Sequence, residues 1–332
     1  MKSIQSSRRS VLIGSAAMFL AAPAIAQRRP VRLRYAHSQP VGHSTDTAAR
    51  RFIEIVQTKT NGEATIELFP NNQLGVDREL QTLIETGQLD FTHSNSATMG
   101  NFLPQIAVMD LPFTWRSAEH YFRVVDGPFT PALNELLAAR TGHRYLGWWY
   151  DGFRHVYTRN KAIKSFDDMR GLKIRAPEAR VFVDTFRALR ANPTPLPFPE
   201  IYTALEAGVI DGFEGSNGIV QSSKIYEVAK NRAVTGHIMV GFGLTTGKRF
   251  ATLPADVQAV CVAAAKDVEA SQRASELATE ADLVRQMISA GVVESTPDLA
   301  PFRAAVEPVH AEFHQRNKTE ALRNFINAAA AG

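Results

Sequence analysis

An arginine stands where a predicted strand ends in the 332-residue chain. In residues 171–177, apolar side chains alternate at Leu172 and Ile174, which predicts a strand with Arg175 at its carboxyl end. Pro177 then ends the regular structure. Ligands of open α/β sheets bind outside the carboxyl ends of strands, and a guanidinium has a planar fork of donors that matches a carboxylate. Arg175 is therefore either an acid-binding residue or a surface arginine in an ordinary ion pair.

Other polar and aromatic side chains also lie at the ends of predicted strands. His37 follows the first strand and Asn95 follows another, so each is either a ligand contact or a helix cap. We expect a contact at Asn95 and a cap at Ser44. A tryptophan pair that ends at Trp149 lies close in sequence to Arg154. One of the two rings is expected to line a binding cleft and the other to belong to the core.

Motifs that would indicate an enzyme fail on spacing. Residues 241–248 resemble a phosphate-binding loop, but five residues instead of four separate the two glycines. His310 and His314 lie one helical turn apart, yet a zinc protease needs a glutamate directly after the first histidine, and no third ligand is evident. We interpret these histidines as a solvated flank of an apolar helix, and Cys261 as a packing residue. No nucleophile or metal site is predicted.

The N-terminus has the features of an export signal. Residues 1–26 carry basic side chains at Lys2, Arg8 and Arg9, no acidic residue, and an apolar run over 11–25 that ends in small residues. The adjacent arginines resemble a twin-arginine signal, while the residues after them leave the ordinary secretory route open. Removing this segment takes away three positive charges and lowers the formal net charge from +4 to +1. A nearly neutral mature chain has no electrostatic case for nucleic acid or an anionic membrane as its partner.

Strand-like and helical segments alternate along the chain. The predicted strands are 31–36, 64–69, 89–93, 144–149 and 172–176, and the predicted helices are 45–58, 77–86, 117–125, 131–139 and 256–290. This order favours an α/β fold with helices packed on a largely parallel sheet. At about 1.5 Å per residue, the last of these helices is about 50 Å long, enough to lie across two lobes.

Four runs of residues carry a resemblance to a known family. Phe-Pro-Asn-Asn-Gln-Leu-Gly stands at 69–75 and Gly-Phe-Arg at 152–154. The most specific runs are SFDDMRGLKIRAP at 165–177 and EIYTALEAGVIDGFE at 200–214. In their order and spacing, these runs resemble the solute receptors of tripartite ATP-independent periplasmic (TRAP) transporters, of the DctP type. The resemblance covers essentially the whole mature chain.

The resemblance implies roles for three residues. Arg175 matches the arginine that forms a two-pronged salt bridge with the ligand carboxylate in this family, and Arg154 matches a second arginine that often assists it. Phe198 matches an aromatic residue that packs against the ligand, although its position between two prolines is equally consistent with the core. A carboxylate clamp is therefore predicted in the second half of the chain.

One run departs from the family pattern. The family's Asp-Gly-Gln-Glu-Asn-Pro usually supplies an asparagine that shares the carboxylate, whereas this chain has Asp-Gly-Phe-Glu-Gly-Ser at 211–216. Gly215 stands at the asparagine position, so Ser216, Asn217 or a water molecule is expected to replace the missing contact. Glu214 either faces the ligand or is paired internally.

The resemblance implies a two-lobe periplasmic binding protein fold, with mixed sheets flanked by helices and a long helix spanning both lobes. After the signal peptide at 1–26, lobe I is expected to comprise 27–151 plus about 240–268, and lobe II 152–239 plus about 269–332. The chain crosses between lobes near 151–152 and between 236 and 241, where a hinge is expected.

The implied function is the capture of a small organic acid by closure of the lobes, and its delivery to a membrane permease with DctQ-like and DctM-like subunits. We expect a monomer in the periplasm, with no metal, cofactor, catalytic residue or nucleic-acid partner. Two rivals are a periplasmic enzyme that acts on an organic acid and a binding protein coupled to a chemoreceptor. The ligand itself is not identified by the sequence.

Overall fold

The structure, a computed structural model, describes residues 30–330, so the predicted signal peptide lies outside the described residues. The strands are β1 (Val31–Ala36), β2 (Ala64–Phe69), β3 (Phe91–Asn95), β4 (Arg144–Thr158), β5 (Lys173–Ala176), β6 (Asn192–Pro195), β7 (Gly212–Gly215), β8 (Asn231–Thr246) and β9 (Val293–Ser295). The helices are α1 (Ser44–Lys59), α2 (Asp77–Glu85), α3 (Ser96–Met99), α4 (Ala118–Asp126), α5 (Phe129–Arg140), α6 (Arg180–Ala188), α7 (Ile201–Glu206), α8 (Asn217–Ser222), α9 (Ala255–Ser289), α10 (Ala300–Arg316) and α11 (Glu320–Ala329).

The strands form one mixed sheet in the order β2-β1-β3-β8-β4-β7-β5-β6, with β9 beside β8. Within each half the neighbours run parallel: β1 with β2 and β3, and β5 with β6 and β7. Strands β4 and β8 lie between the halves and are antiparallel to each other, to β3 and to β7. The carboxyl ends of β3 and β7 therefore point toward each other across the middle of the sheet. The largely parallel pattern predicted from the sequence holds within each half and is reversed at the two middle strands.

The middle strands are long enough to belong to both halves. The predicted strand over 144–149 continues to Thr158, since β4 pairs with β8 along its whole length and with β7 at its far end. Its register with β8 shifts between Tyr150 and Gly152, where Gly152 has a φ of +97° that favours glycine. In β8, Gly236 has a φ of +51°. Both irregularities lie where a hinge was predicted.

Helix α9 joins the apolar cores of the two lobes. Near its start, Cys261, Ala264 and Val268 pack in the core cluster of lobe I, and near its end Met287 packs in that of lobe II. Its buried middle is polar, with Glu269, Gln272, Arg273 and Glu276. Gln272 binds the backbone of β4 at Tyr150, where the strand passes from one lobe to the other. Its side-chain amide donates to the Tyr150 carbonyl at 2.6 Å and accepts from the Tyr150 N–H at 2.9 Å. The long helix predicted over 256–290 is present.

Two features of the described residues bear on the class of protein. No helix between residues 30 and 330 is long and apolar enough to cross a membrane. Over the same residues, no group of three or more His, Cys, Asp or Glu side chains is arranged to hold a metal ion. The paired histidines of α10 instead bond to protein atoms, His310 Nε2 to the Pro112 carbonyl oxygen at 2.7 Å and His314 Nδ1 to Thr319 Oγ1 at 2.8 Å.

Candidate functional site

A cavity lies between the two halves of the sheet, with an empty volume of about 880 Å³ including its mouth. The lobe I wall, on the half of the sheet with β1, β2 and β3, includes Ser38, Gln39, Asn72, Asp77, Asn95, Thr98 and Asp151. The lobe II wall, on the half with β5, β6 and β7, includes Arg154, Arg175, Pro177, Glu178, Phe198 and Phe213. Four of the residues predicted for the site therefore line it: Arg175, Arg154, Phe198 and Asn95.

Arg175 projects from the end of β5 and exposes 6% of its surface. Its Nε and Nη2 atoms donate to the Leu196 carbonyl oxygen at 2.9 and 2.7 Å. No carboxylate of the described residues makes an ion pair with it within 4.0 Å. Burial lowers the pKa of Arg175 to about 10, an effect to which the charge of Arg154 adds and which that of Glu214 opposes. Arg175 is thus a cation at neutral pH that lacks a bonded counter-ion and faces a cavity, an arrangement that favours an anionic ligand.

Arg154 already has a carboxylate partner. Its Nε and Nη2 atoms form a fork with the Glu214 carboxylate, and Nη2 also donates to the Glu214 carbonyl oxygen at 2.8 Å. His237 Nε2 lies 3.3 Å from the same carboxylate, and the Arg154 guanidinium lies 5.4 Å from the Phe182 ring centroid. Burial by itself raises the pKa of Glu214, but Arg154 and His237 lower it overall. Glu214 is fully buried behind Arg154 and therefore orients this arginine instead of lining the cavity.

Gly215 leaves no space for a side chain. A Cβ atom built on it would lie 2.5 Å from Cζ of Phe213 and 3.0 Å from Cγ2 of Ile219. Residues 213 and 215 are on the same face of β7 because side chains alternate along a strand, so the Phe213 ring covers the glycine. The Arg175 guanidinium lies 5.9 Å from the centroid of that ring. The place of the family's asparagine is therefore apolar in this chain.

Ser216 and Asn217 were predicted as replacement contacts, but the structure places both behind the cavity wall. Ser216 begins α8 as its cap and donates to Asp151 Oδ2 at 2.7 Å. Asn217 Oδ1 accepts from the Tyr157 hydroxyl at 2.8 Å and from Arg232 Nε at 3.1 Å. Their polar atoms are used by the junction between the lobes, so neither side chain replaces the missing amide.

Two other predicted contacts are also turned away from the cavity. His37 is fully buried, with Nε2 3.1 Å from Asp46 Oδ1, and Trp149 is fully buried in the core of lobe I. The cap of α1 is His43, not Ser44, because the His43 ring accepts from the Thr45 N–H. The His37 and His43 rings stabilise loops of lobe I, and the Trp149 ring packs in its core.

Asn95 combines the two roles that the sequence left open. Its Oδ1 atom caps α3, accepting from the Thr98 N–H at 3.0 Å and from the Thr98 hydroxyl at 3.2 Å. The residue also lines the cavity. Its Nδ2 atom makes no hydrogen bond with the described residues and is available to a ligand.

Among the polar residues of the lobe I wall, three on the segments that follow β1 and β2 were not predicted from the sequence. Gln39 follows β1, Asn72 follows β2, and Asp77 opens α2. They meet because β1 and β2 are adjacent parallel strands whose following loops lie at the same edge of the sheet. The sequence signal that could have found them is the one that singled out His37, namely a polar residue just after a strand. The search would have had to extend one or two residues further past the strand end.

The match to a family model decides what kind of protein this is. The model described as bacterial extracellular solute-binding protein, family 7 (DctP), matches residues 35–317. The chain belongs to this family. Among curated DctP-family relatives, the C4-dicarboxylate-binding periplasmic protein DctP of Rhodobacter capsulatus is 30% identical over 96% of this chain and 97% of its own length.

Solved structures of DctP-family proteins have the same fold. The sugar acid binding protein DctPAm of Advenella mimigardefordensis, in complex with galactonate, superimposes with a TM-score of 0.86 over 91% of this chain and 99% of that one, at 27% identity. A TRAP periplasmic solute binding protein of Xanthobacter autotrophicus, with bound β-D-galacturonate, gives a TM-score of 0.85 over 90% and 99%, at 32% identity. The predicted TRAP-type family and the two-lobe α/β fold with a mixed sheet are thereby confirmed.

Membership of the DctP family also fixes the class of function. The family consists of periplasmic solute-binding proteins of transport systems, so this chain is a TRAP-type solute-binding protein of small organic acids and not an enzyme. The rival interpretation as a periplasmic enzyme is excluded on that ground.

Proposed function

We propose that this protein captures a small organic acid by pairing the ligand carboxylate with Arg175. The observation that carries the proposal is the Arg175 guanidinium, which is buried on the cavity wall and, among the described residues, hydrogen-bonds only to the Leu196 carbonyl oxygen. A carboxylate can accept two parallel hydrogen bonds from such a fork. Arg154, held by Glu214, adds positive charge at the same wall and orients the carboxylate.

Closure of the lobes around the ligand is the proposed mechanism of capture. Arg175 and Phe198 belong to the lobe II wall, while Gln39 and Asn72 belong to the lobe I wall. A ligand that contacts both walls stabilises the closed state by its differential affinity for that state. The hinge is proposed at the irregularities of β4 and β8 near Gly152 and Gly236.

The proposal also covers export of the protein to the periplasm and delivery of its ligand to a membrane transporter. The partners are the membrane subunits of a TRAP transporter, of the DctQ and DctM types, to which the monomeric protein would bring its ligand. Residues 1–26 form a signal peptide for export by either the twin-arginine route, which Arg8 with Arg9 resembles, or the ordinary secretory route. A mature chain beginning near Gln27 in periplasmic extracts, measured by mass spectrometry, is the expected product. A membrane-bound chain that retains residues 1–26 would contradict it.

Calorimetry with a set of small carboxylates tests the site. Galactonate and galacturonate, the ligands of the two structural relatives above, belong in the set together with C4-dicarboxylates. For an acid that binds, Arg175→Ala should weaken binding by about 2–5 kcal/mol, because a buried carboxylate loses its partner. Arg175→Lys should also bind poorly, since a point charge does not replace the fork.

Arg190→Ala is the matched control. Arg190 also belongs to lobe II, but it is half exposed and pairs with the exposed Asp167. Its removal should leave binding unchanged. A folded Arg175→Ala protein that binds the acid as tightly as the wild type would overturn the proposed site.

A further inference from the structure

The lobe I wall carries a set of acceptors that the protein leaves unused. Three buried oxygen atoms on this wall have no hydrogen-bond partner between residues 30 and 330: Oε1 of Gln39, Oδ1 of Asn72 and Oδ1 of Asp77. Buried polar atoms in folded proteins are normally hydrogen-bonded. Three orphan acceptors on one wall of a cavity therefore point to a ligand that donates hydrogen bonds to them.

Hydrogen bonds within the wall orient two of these acceptors, those of Asn72 and Gln39. Asn72 Nδ2 donates to the Ser38 carbonyl oxygen at 3.1 Å, and a carbonyl can only accept, so Oδ1 is the amide atom left for the ligand. Gln39 Nε2 lies 3.0 Å from Ser38 Oγ, and the Gln39 residue is only 5% exposed. The Asn72 N–H donates to the His37 carbonyl oxygen at 3.1 Å, which ties the loop after β2 to the loop after β1.

Among its described lining side chains, the opposite wall has one acceptor, the carboxylate of Glu178. Beside the Arg175 guanidinium it presents the rings of Phe213 and Phe198, and Gly215 has no space for a polar side chain. A ligand whose carboxylate lies on Arg175 therefore finds most of the acceptor side chains on the lobe I side.

We propose that Gln39, Asn72 and Asp77 form an acceptor triad that selects carboxylates bearing hydroxyl groups at the end remote from the carboxylate. The inference rests on the proposed function, because it assumes that the carboxylate lies on Arg175. Two of the three acceptors are neutral amide oxygens, and the positive charge of Arg175 acts on Asp77. Both facts favour hydroxyl groups over an ammonium group as the donors.

A fourth wall residue with an orphan oxygen has a different role. Asp151 Oδ1 lies 3.0 Å from His43 Nε2, so an imidazole of the protein already faces it. Its Oδ2 accepts from Ser216. Asp151 thus belongs to the junction between the lobes and is not part of the acceptor triad.

Calorimetry with three six-carbon acids tests the triad. Galactonate carries hydroxyl groups, hexanoate carries none, and 6-aminohexanoate carries a terminal ammonium group. The wild type should bind galactonate at least about tenfold more tightly than either of the others, because the triad is left unsatisfied by hexanoate. Asn72→Gly should weaken galactonate binding by about tenfold and change hexanoate binding by less than about twofold.

Asn71→Gly is the matched control. Asn71 and Asn72 are neighbours with positive φ values of 52° and 62°, where glycine is unstrained, and Asn71 does not line the cavity. Its replacement should leave the affinities for the three acids as in the wild type. Gln39→Leu, which keeps the side-chain volume and removes an acceptor, should reproduce the selective loss of Asn72→Gly.

The outcomes separate this inference from the proposed function. Hexanoate or 6-aminohexanoate binding as tightly as galactonate in the wild type overturns the triad. Equal losses for galactonate and hexanoate in Asn72→Gly overturn it as well. In both cases, loss of binding in Arg175→Ala would leave the carboxylate site standing. Retention of galactonate binding by Arg175→Ala would contradict the proposed site, and a wild type that binds none of the three acids would contradict the triad.

Discussion

At the scale of single residues, the pair Phe213 and Gly215 distinguishes this chain from the pattern of its family. In the structure the ring of one covers the backbone of the other, so the two residues form a single apolar surface beside Arg175. Neither residue can change alone without affecting the other. The glycine at position 215, which departs from the family pattern, is therefore matched to the phenylalanine at position 213. We call these two residues the matched pair.

Gly215→Asn should show this coupling. The new Cβ would lie 2.5 Å from the Phe213 ring, which is buried, so overpacking should destabilise the fold by about 1–3 kcal/mol and lower the Tm. The flexible side chain in Phe213→Gln can move aside, so the double variant should recover part of the lost Tm. Thermal unfolding followed by circular dichroism measures both effects.

Gly171→Asn serves as the control for that substitution. A Cβ at Gly171 meets nothing within 4 Å, and its φ of +74° is one that asparagine tolerates. Its Tm should stay close to that of the wild type. If Gly215→Asn is equally harmless, the ring does not fill the position and the matched-pair explanation is wrong.

The sequence predicted a site residue reliably only where a position at the end of a strand coincided with a family motif. Arg175 stands at a strand end and within a specific run, and it lines the cavity as expected. His37 also follows a strand, but alternation alone does not say which side a loop residue faces, and its ring turned to Asp46. Gln39 and Asn72 were missed because their approach depends on hydrogen bonds between two loops, such as that from Asn72 to Ser38 across 34 positions of the chain. Such contacts leave no periodic trace in the sequence.

At the scale of elements, the junction between the lobes is built from polar side chains on four different elements. His43 caps α1, Asp151 lies at the crossing of β4, Ser216 caps α8, and Glu276 and Glu280 project from α9. His43 Nε2 lies 3.0 Å from Asp151 Oδ1, and Asn217 donates to Glu280 at 3.1 Å. Apolar periodicity predicted α9 along its full length, but its middle is buried against polar groups, which only the assembled structure reveals.

Glu276 should make the stability of the protein depend on pH. Burial raises the pKa of Glu276 to about 7, with the charge of Asp151 adding to the effect and His43 opposing it. Its pKa in the unfolded chain is near 4.5, so the folded state holds the proton more tightly and stability falls as pH rises from about 4.5 to 7. The pKa of His43 is raised as well: burial lowers it, but Asp151 and its neighbours outweigh that effect. Stability from His43 is present below about 6.5 and is lost as pH rises through its folded pKa.

Glu276→Gln removes the contribution of Glu276. Between pH 5 and 8 the Tm of the wild type should fall more than that of the variant, by on the order of 5 °C. Differential scanning calorimetry across this range provides the comparison. Glu54→Gln, which removes a carboxylate from an exposed site on α1, should follow the wild-type profile. If the Tm of the wild type and of Glu276→Gln changes with pH in the same way, then the pKa of Glu276 does not differ between the folded and unfolded states.

At the scale of the whole molecule, the two walls of the cavity belong to different lobes. Under the proposed closure, a ligand held by Arg175 on one side and by Asn72 on the other draws the lobes together. Small-angle X-ray scattering should therefore report a smaller radius of gyration with a saturating acid than without it. Arg175→Ala at the same acid concentration should keep the unliganded radius. An unchanged radius in a wild-type sample shown by calorimetry to be saturated would mean that capture occurs without closure.

The continuity of β4 and β8 restricts how such a motion can proceed. Because the two strands run unbroken from one lobe to the other and are paired along most of their length, the connection is a ribbon and not a pair of loose tethers. A ribbon twists and bends easily about few axes, whereas tethers would let the lobes slide and swivel freely. Acids of different size should therefore move the lobes along one common path and differ only in how far they travel. A transporter that recognises the closed shape could then distinguish loaded from empty protein without contacting the ligand.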